Sequence, residues 1–319
     1  MKSKTSEVTP LEGMAYFFPA DDAVLTAREG RVSILYDGLP IPLLMDDFTA
    51  LENSAAPSYD AVGRGLYQAL RLDPECQHSE RYALIIRDAY PHLLAELITH
   101  LLMLDKKDVD IAYIDRKIAS LKILSLLQPD DYRIPFEIGR SYLEKGTTLS
   151  AVHMAAMSLY KALDYLERAN HMDAGDPLLA ATLGEVAYLL GKYEKAEKFW
   201  RDILQSVEGG QKERLEKCLA AIAGGNLPRV APVDYLEAAG AAFELHEQGE
   251  YEEAGAILSD ILDDAVFVEH FPLPQLNHIL GLCCERMALP RYAEEYYRQA
   301  LAIDPDFVEA SRALDALKI

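Results

Sequence analysis

Residues 277–305, NHILGLCCERMALPRYAEEYYRQALAIDP, place Leu280-Gly281 and Cys284 in a first apolar stretch. Ala293, Tyr297 and Ala300 follow in a second, and Ile303-Asp304-Pro305 closes the segment. The apolar positions recur at three- and four-residue steps, the spacing of a buried helix stripe. Gly281 and Ala293 are small where two helix backbones must approach, and Tyr297 is large where the gap between neighbouring helices must be filled. Upstream, residues 177–204 repeat the design. Leu183-Gly184 and Ala187 lie on one helix, Gly191-Lys192-Tyr193 is the turn, and Ala196, Trp200 and Ile203 lie on the next. Ala162, Leu166 and Ala169 precede those last three by 34 residues each. A further copy runs through Ala238, Ala242 and Leu245, turns at Gly249-Glu250-Tyr251 and continues with Ala254, Leu258 and Ile261.

This pattern resembles the tetratricopeptide repeat, a helix–turn–helix of 34 residues with small residues at the helix crossing and a closing proline. The family's first helix opens on tryptophan, where the last copy has Asn277. The resemblance implies an all-α protein, a right-handed α-solenoid of stacked helical hairpins, because one hairpin cannot bury its apolar face alone.

Weaker copies extend the array. Phe136, Gly139 and Tyr142 open one, with Glu144-Lys145-Gly146 at its turn and about a dozen extra residues, Thr147 to Met157, before Tyr160 and Ala162. An extended loop or a lengthened helix is expected there. Ala69-Leu70-Arg71-Leu72-Asp73-Pro74 matches the end of another unit, and Ser79–Leu104 and Val109–Leu127 read as two long amphipathic helices ending at Pro129. Gln211–Ala223 reads as an extra helix. The Gly- and Pro-rich run 224–232 predicts a hinge or sub-domain boundary. Asp306–Lys318 carries Phe307, Ala310, Leu314 and Leu317 at helical spacing, as a capping helix would. The expected organisation is an irregular segment 1–58, degenerate repeats 59–129, repeats with an extra helix 131–223, a linker 224–233 and a C-terminal repeat pair with its cap 234–319. Within the first segment, Arg31–Tyr36 and Leu39–Leu44 flank Asp37-Gly38, a hairpin-turn dipeptide. Pro40 and Pro42 confine the second arm to an edge strand or to extended chain lying over the first helices.

The chain has 319 residues, 31 basic against 52 acidic, for a formal charge of −21. So acidic a surface repels phosphate backbones, which argues against nucleic acid and anionic membrane as partners. Within the greasiest stretch, Leu93–Leu104, the uncharged run Leu97–Leu104 falls well short of the ~20 residues that span a bilayer. Met1–Pro10 lacks the apolar core of a signal peptide. The four cysteines, Cys76, Cys218, Cys283 and Cys284, form no CxxC and fit small buried hydrophobes in a reducing cytoplasm.

Motifs for phosphate, dinucleotide, serine-nucleophile or zinc-protease chemistry are absent. His92 and His100 share a helical face without further ligands, so structural histidines are expected. Asp105, Asp108 and Asp110 lack the glycine and terminal glutamate of a calcium loop, and Asp173 and Asp176 read as helix-start residues before Pro177. No catalytic residue, metal site or cofactor is expected, and the chain reads as a non-enzyme.

The resemblance implies a concave groove lined by the first helix of each unit. At i, i+4, i+7 spacing its lining reads Phe136, Arg140, Leu143; Ala181, Glu185, Tyr188; Ala239, Phe243, His246; and His278, Leu282, Glu285, with Glu247 beside them. Such an apolar and acidic surface suits an amphipathic helix or extended peptide with Lys or Arg flanks. Burial of these residues by neighbouring helices or by the N-terminal segment is the competing expectation. The chaperone-tail groove of the family uses paired Lys and Asn, whereas the inward positions here hold Glu185, Phe243, Leu282 and Glu285. Residues 234–319 contain 5 basic and 18 acidic residues, concentrating the acidic excess. The leading expectation is a protein-interaction scaffold or adaptor for a basic or amphipathic peptide, with Phe243, Tyr188 and Leu282 as anchors. The alternatives are a ligand-binding or regulatory N-terminal domain docked by a repeat arm, and a chaperone for hydrophobic clients. Repeat arrays of this kind also dimerise through exposed end faces.

Overall fold

A computed structural model describes residues 9–20, 22–26, 33–53, 56–104 and 110–317. The chain divides into two compact units, 1–138 and 139–319, the division falling inside one helix.

In the first unit, strands β1 (Met14–Phe17) and β4 (Ile41–Leu44) form one antiparallel pair, and β2 (Val24–Thr26) and β3 (Ser33–Leu35) form another. Asp37-Gly38 does turn the chain, with positive φ at both residues and Leu39 N–H donating to Tyr36 O. Its flanking arms do not pair with each other, however: β3 joins β2 and β4 joins β1. The expected hairpin is thereby corrected to two nested pairs, and its first residues, Arg31 and Val32, lie outside the described residues, as does most of Met1–Pro10. Leu39, Ile41 and Leu43 are buried, because β4 lies on helix α2 (Tyr59–Leu72), which follows the short α1 (Met45–Thr49). Gly65 permits that contact, since a β-carbon there would sit 1.9 Å from Pro42 O. Tyr82 Oη and Arg81 Nη2 from α3 (Ser79–Ala89) donate to Pro40 O and Tyr36 O, each at 2.9 Å. The strands are therefore part of this unit's core rather than a separate segment.

The long helix read over Ser79–Leu104 is two helices. Pro91 opens α4 (Pro91–Leu104), and Tyr90 before it leaves the helical region, as a residue preceding proline tends to. The freed Tyr90 ring stacks on Tyr59 at 4.4 Å and its hydroxyl donates to Tyr59 O. Helix α5 (Ile111–Leu127) follows. Asp110 immediately precedes it, and Asp105 and Asp108 lie outside the described residues.

Helix α6 (Arg133–Thr147) carries the chain into the second unit. There α7 (Ala155–Met172), α8 (Pro177–Leu189) and α9 (Tyr193–Ile203) pack in sequence, as do α11 (Pro232–Gln248), α12 (Tyr251–Leu262), α14 (Pro274–Arg286), α15 (Pro290–Ile303) and α16 (Val308–Leu317). Asp176 caps α8 by accepting from Leu178 N and Leu179 N, whereas Asp173, expected at a helix start, instead ends α7 and accepts from Gly175 N in the turn between them. Helix α16 places Ala310, Ala313, Leu314 and Leu317 on the C-terminal core. The hairpins pack as the small–large pattern requires: a β-carbon on Gly184 would lie 2.1 Å from Trp200 Nε1, and one on Gly281 would lie 2.4 Å from Tyr297 Cε1. These are helical hairpins closed at the small–large crossings read from the sequence.

Three elements depart from a regular array. The inserted stretch after α6 is a 3-10 helix, Leu149–Met154, and α11 packs on it and on α7 and α8. Gly240 allows this, because a β-carbon there would meet His153 N at 2.7 Å, and Glu237 Oε1 accepts from Ala156 N at 2.9 Å. Helix α10 (Gly209–Gly224) is the extra helix and lies against α9. Helix α13 (Ala265–His270) was not legible in the sequence and sits between α12 and α14. The 224–233 connection lies within the second unit and is held there by Arg229, whose N–H donates to Asp264 Oδ2 at 2.7 Å. The fold does not divide at that connection.

Replacing Gly281 by Ala tests the close crossing. Ala favours a helix over Gly by up to about 1 kcal/mol, but overpacking against Tyr297 costs about 1–3 kcal/mol. Gly281→Ala is therefore expected to lower the thermal midpoint in calorimetry. Gly210→Ala, which meets open space, is expected to leave it unchanged or slightly raised.

Candidate functional site

The residues expected to line a groove fall into three environments. Phe136, in the first unit, is buried and belongs to its core, so it is no anchor for a partner. On the α6 portion of the second unit, Arg140 is exposed and Leu143 half-buried. On α8, Glu185 is exposed but Tyr188 retains only 4% of its surface. The expectation of Tyr188 as an accessible anchor is corrected: its ring is enclosed by Trp200, Tyr193, His270 and Phe271, at centroid distances from 5.2 to 6.4 Å. On α11 and α14, Phe243, His246, His278 and Leu282 are half-buried, and Glu247 and Glu285 are exposed.

The α11/α14 surface combines apolar and acidic groups. Phe243 and Leu282 rest their inner edges on the C-terminal core and keep part of each side chain open. His278 is held between Tyr297 and Phe307, and Tyr297 Oη donates to Glu285 Oε2 at 2.9 Å. Burial lowers the pKa of both His246 and His278. Arg286 lowers His246 further against the opposing Glu247, and for His278 the charge of Glu309 opposes burial while His246 adds to it. Both rings are thereby held toward the neutral form.

The α8 face is roofed instead. Leu215 and Leu219 of α10 join Tyr188, Trp200 and Ile203 in one apolar cluster, with Cys218 and Ile222 packed against it. Arg214 reaches Glu185 at 3.8 Å, and Lys217 reaches Glu269 of α13 at 2.8 Å. A cavity of about 350 Å³ remains between α8, α9, α10 and the start of the α13–α14 connection. Burial raises the Cys218 thiol above its ordinary range, with Arg214 and Lys217 opposing. Cys283 is buried too and its thiol is pushed up to about 11.

Asp264 positions this wall. It is 4% exposed and caps α13 by accepting from Val266 N and Phe267 N, while Oδ2 also accepts from Arg229 N and Tyr235 Oη. Burial raises its pKa, but the hydrogen bonds from Arg229, Phe267, Tyr235 and Val266 outweigh that and hold the carboxyl below the usual aspartate value. This residue carries no local sequence signal beyond its place in Asp263-Asp264.

Among the described residues, no group of three or more His, Cys, Asp or Glu side chains is gathered to hold a metal ion. No described helix is long and apolar enough to cross a membrane.

No family model and no curated protein matches the chain. Similar solved structures include the TPR domain of P58(IPK), 15% identical with a TM-score of 0.34, the match covering 81% of this chain and 64% of that one. MamA is 13% identical with a TM-score of 0.27 over 67% of this chain and 96% of its own. A thermophilic TPR protein of Thermus thermophilus is 17% identical with a TM-score of 0.24, over 59% of this chain and 100% of its own. None of them assigns a role to a residue here.

Asp264→Ala is expected to destabilise the second unit by about 2–4 kcal/mol, through loss of the helix cap and of hydrogen bonds to a charged acceptor. In the unmodified chain the stabilisation from Asp264 is complete above about pH 4, the ordinary aspartate range. It is lost as pH falls through the lower folded value. Chemical denaturation across that range should therefore give a flatter acid limb for the variant.

Proposed function

We propose that the chain is a protein-interaction scaffold that holds a basic amphipathic helix against an apolar and acidic face. The observation that carries this reading is α10. It is a helix outside the repeat pattern, with Lys212, Arg214 and Lys217 interleaved with Glu213 and Glu216 on a stretch of sequence that also supplies Leu215 and Leu219. It is held in cis beside α8 with Arg214 toward Glu185 and its leucines among aromatic rings. A face that already accommodates one helix of this chemistry is suited to recognising another.

The stretch left for a partner is the α11/α14 surface, with Phe243 and Leu282 as apolar contacts and Glu247 and Glu285 as charged ones. The acidic excess of residues 234–319 supports a basic partner, because complementary charge speeds encounter and sets selectivity. His278 shapes the end of this surface through its packing on Tyr297 and Phe307. Micromolar affinity, on the order of −8 kcal/mol, is typical of such a contact.

Fluorescence anisotropy with a labelled amphipathic Leu/Lys helical peptide tests the reading. The full chain should bind it in the micromolar range and more weakly as salt rises. The double variant Glu247→Lys and Leu282→Ser should bind at least about tenfold more weakly. Equal affinity for both chains, with both folded by circular dichroism, would remove the α11/α14 surface from consideration.

A further inference from the structure

Helix α10 covers the α8 face without being built into it. Its apolar stripe is Leu215, Cys218, Leu219 and Ile222, at the i, i+3, i+4, i+7 spacing of an amphipathic helix. Only Leu215 and Leu219 among its sixteen residues are buried, whereas α8 buries nine of its thirteen. The ion pairs at its edges, Arg214 to Glu185 and Lys217 to Glu269, join side chains that are all exposed. Pairs of that kind add little to stability. No side-chain hydrogen bond caps its first turn.

Both ends of α10 are glycine pairs. Gly209 and Gly225 have φ of +61° and +68°, and a β-carbon on Gly209, Gly210, Gly224 or Gly225 would meet open space. Close packing therefore does not require glycine at either end. What glycine supplies there is a left-handed turn and a backbone that can adopt other conformations at no steric cost. A helix of this length without tertiary support is marginal in water. Segments with few buried apolar contacts open locally, ahead of global unfolding. The fit beneath α10 is also incomplete: the cavity of about 350 Å³ has Cys218 in its lining, with Tyr188, Trp200 and Phe271. A helix with a larger apolar side chain in the place of Cys218 would regain dispersion contacts that this void forfeits.

We infer that α10 is an autoinhibitory cover, which occupies the α8 face in cis and is exchanged for a partner's helix of the same pattern. The partner helix carries two leucines four residues apart, basic residues facing Glu185 and Glu269, and a bulky apolar residue in the place of Cys218. Its chemistry follows from α10, which shows what the aromatic rings and the two carboxylates accept. This rests on the reading that the chain recognises basic amphipathic helices, and it adds a second, regulated surface to the open one over α11 and α14. A closed cover weakens the apparent affinity of the partner in proportion to the fraction of chains in which it is lifted.

Hydrogen exchange on the full chain, read by mass spectrometry, tests the cover. Fragments within 211–223 should exchange roughly a hundredfold faster than those of α8 and α9. The double variant Arg214→Glu and Lys217→Glu makes both edge contacts repulsive and leaves the leucines and the α8 face intact. It should speed exchange of α10 about tenfold further. The probe is a labelled peptide of residues 208–225 carrying Cys218→Phe, followed by anisotropy. It should bind the double variant more tightly than the unmodified chain by that same factor, because one open fraction sets both quantities. The peptide without the phenylalanine should bind about tenfold more weakly. Saturation with the phenylalanine peptide should remove the remaining protection of α10. Exchange of α10 at the rate of α8 and α9 overturns the inference. So does the absence of binding to the double variant, or binding that leaves α10 protected. Glu247→Lys with Leu282→Ser separates the two surfaces: it should leave this binding unchanged, whereas loss of binding would place the peptide over α11 and α14 and overturn the cover while supporting the open surface.

Discussion

An aromatic ring pressed onto bare helix backbone is the contact on which the second unit depends. At Gly184 and Gly281 the facing rings of Trp200 and Tyr297 occupy the space that any β-carbon would need. Dispersion contacts fall off steeply with distance, so a hairpin closed to this separation packs its two helices at interior density along their length. Those closed hairpins then present flat apolar faces to one another. In the first unit the same economy of space appears at Gly63, where a β-carbon would meet the Tyr90 ring at 2.5 Å. The repeat is thus a physical rule about where side chains must be missing, as much as where they must be present.

The irregular elements follow from what those hairpins leave uncovered. The 3-10 segment Leu149–Met154 gives α11 a surface to dock on, so the C-terminal hairpins join the second unit through α7, α8 and this segment. Helix α10 is left lying against α9 and closes over the α8 face. Helix α13, seated by Asp264, brings His270 and Phe271 against Tyr188. One buried carboxylate therefore joins the 224–233 connection, α11 and α13, through Arg229, Tyr235 and the α13 amides.

The consequence for function is a division of one expected groove into two surfaces. Over α8 the chain covers its own aromatic residues with α10 and α13. Over α11 and α14 part of Phe243 and Leu282 and the carboxylates of Glu247 and Glu285 remain open. Their chemistry differs because α10 contributes Arg214 and Lys217 to one and nothing to the other.

Local sequence determined much of this. The hairpins at 177–204, 234–262 and 277–305, the cap at Asp176, the extra helix read over 211–223 and the C-terminal cap were legible, because helix periodicity and small–large spacing act within a few turns. The identity of inward positions was legible too, but not their accessibility. Tyr188 and Phe243 were both read as inward-facing, yet one is buried and the other half-open. Only tertiary structure decided that difference: α10 and α13 reach the α8 face from later, separate stretches of the chain. The partners of β3 and β4, the seat of α11 and the role of Asp264 were decided in the same way. Each is a contact between segments distant in the chain, and such contacts are chosen by which faces remain to be buried once the local elements have formed.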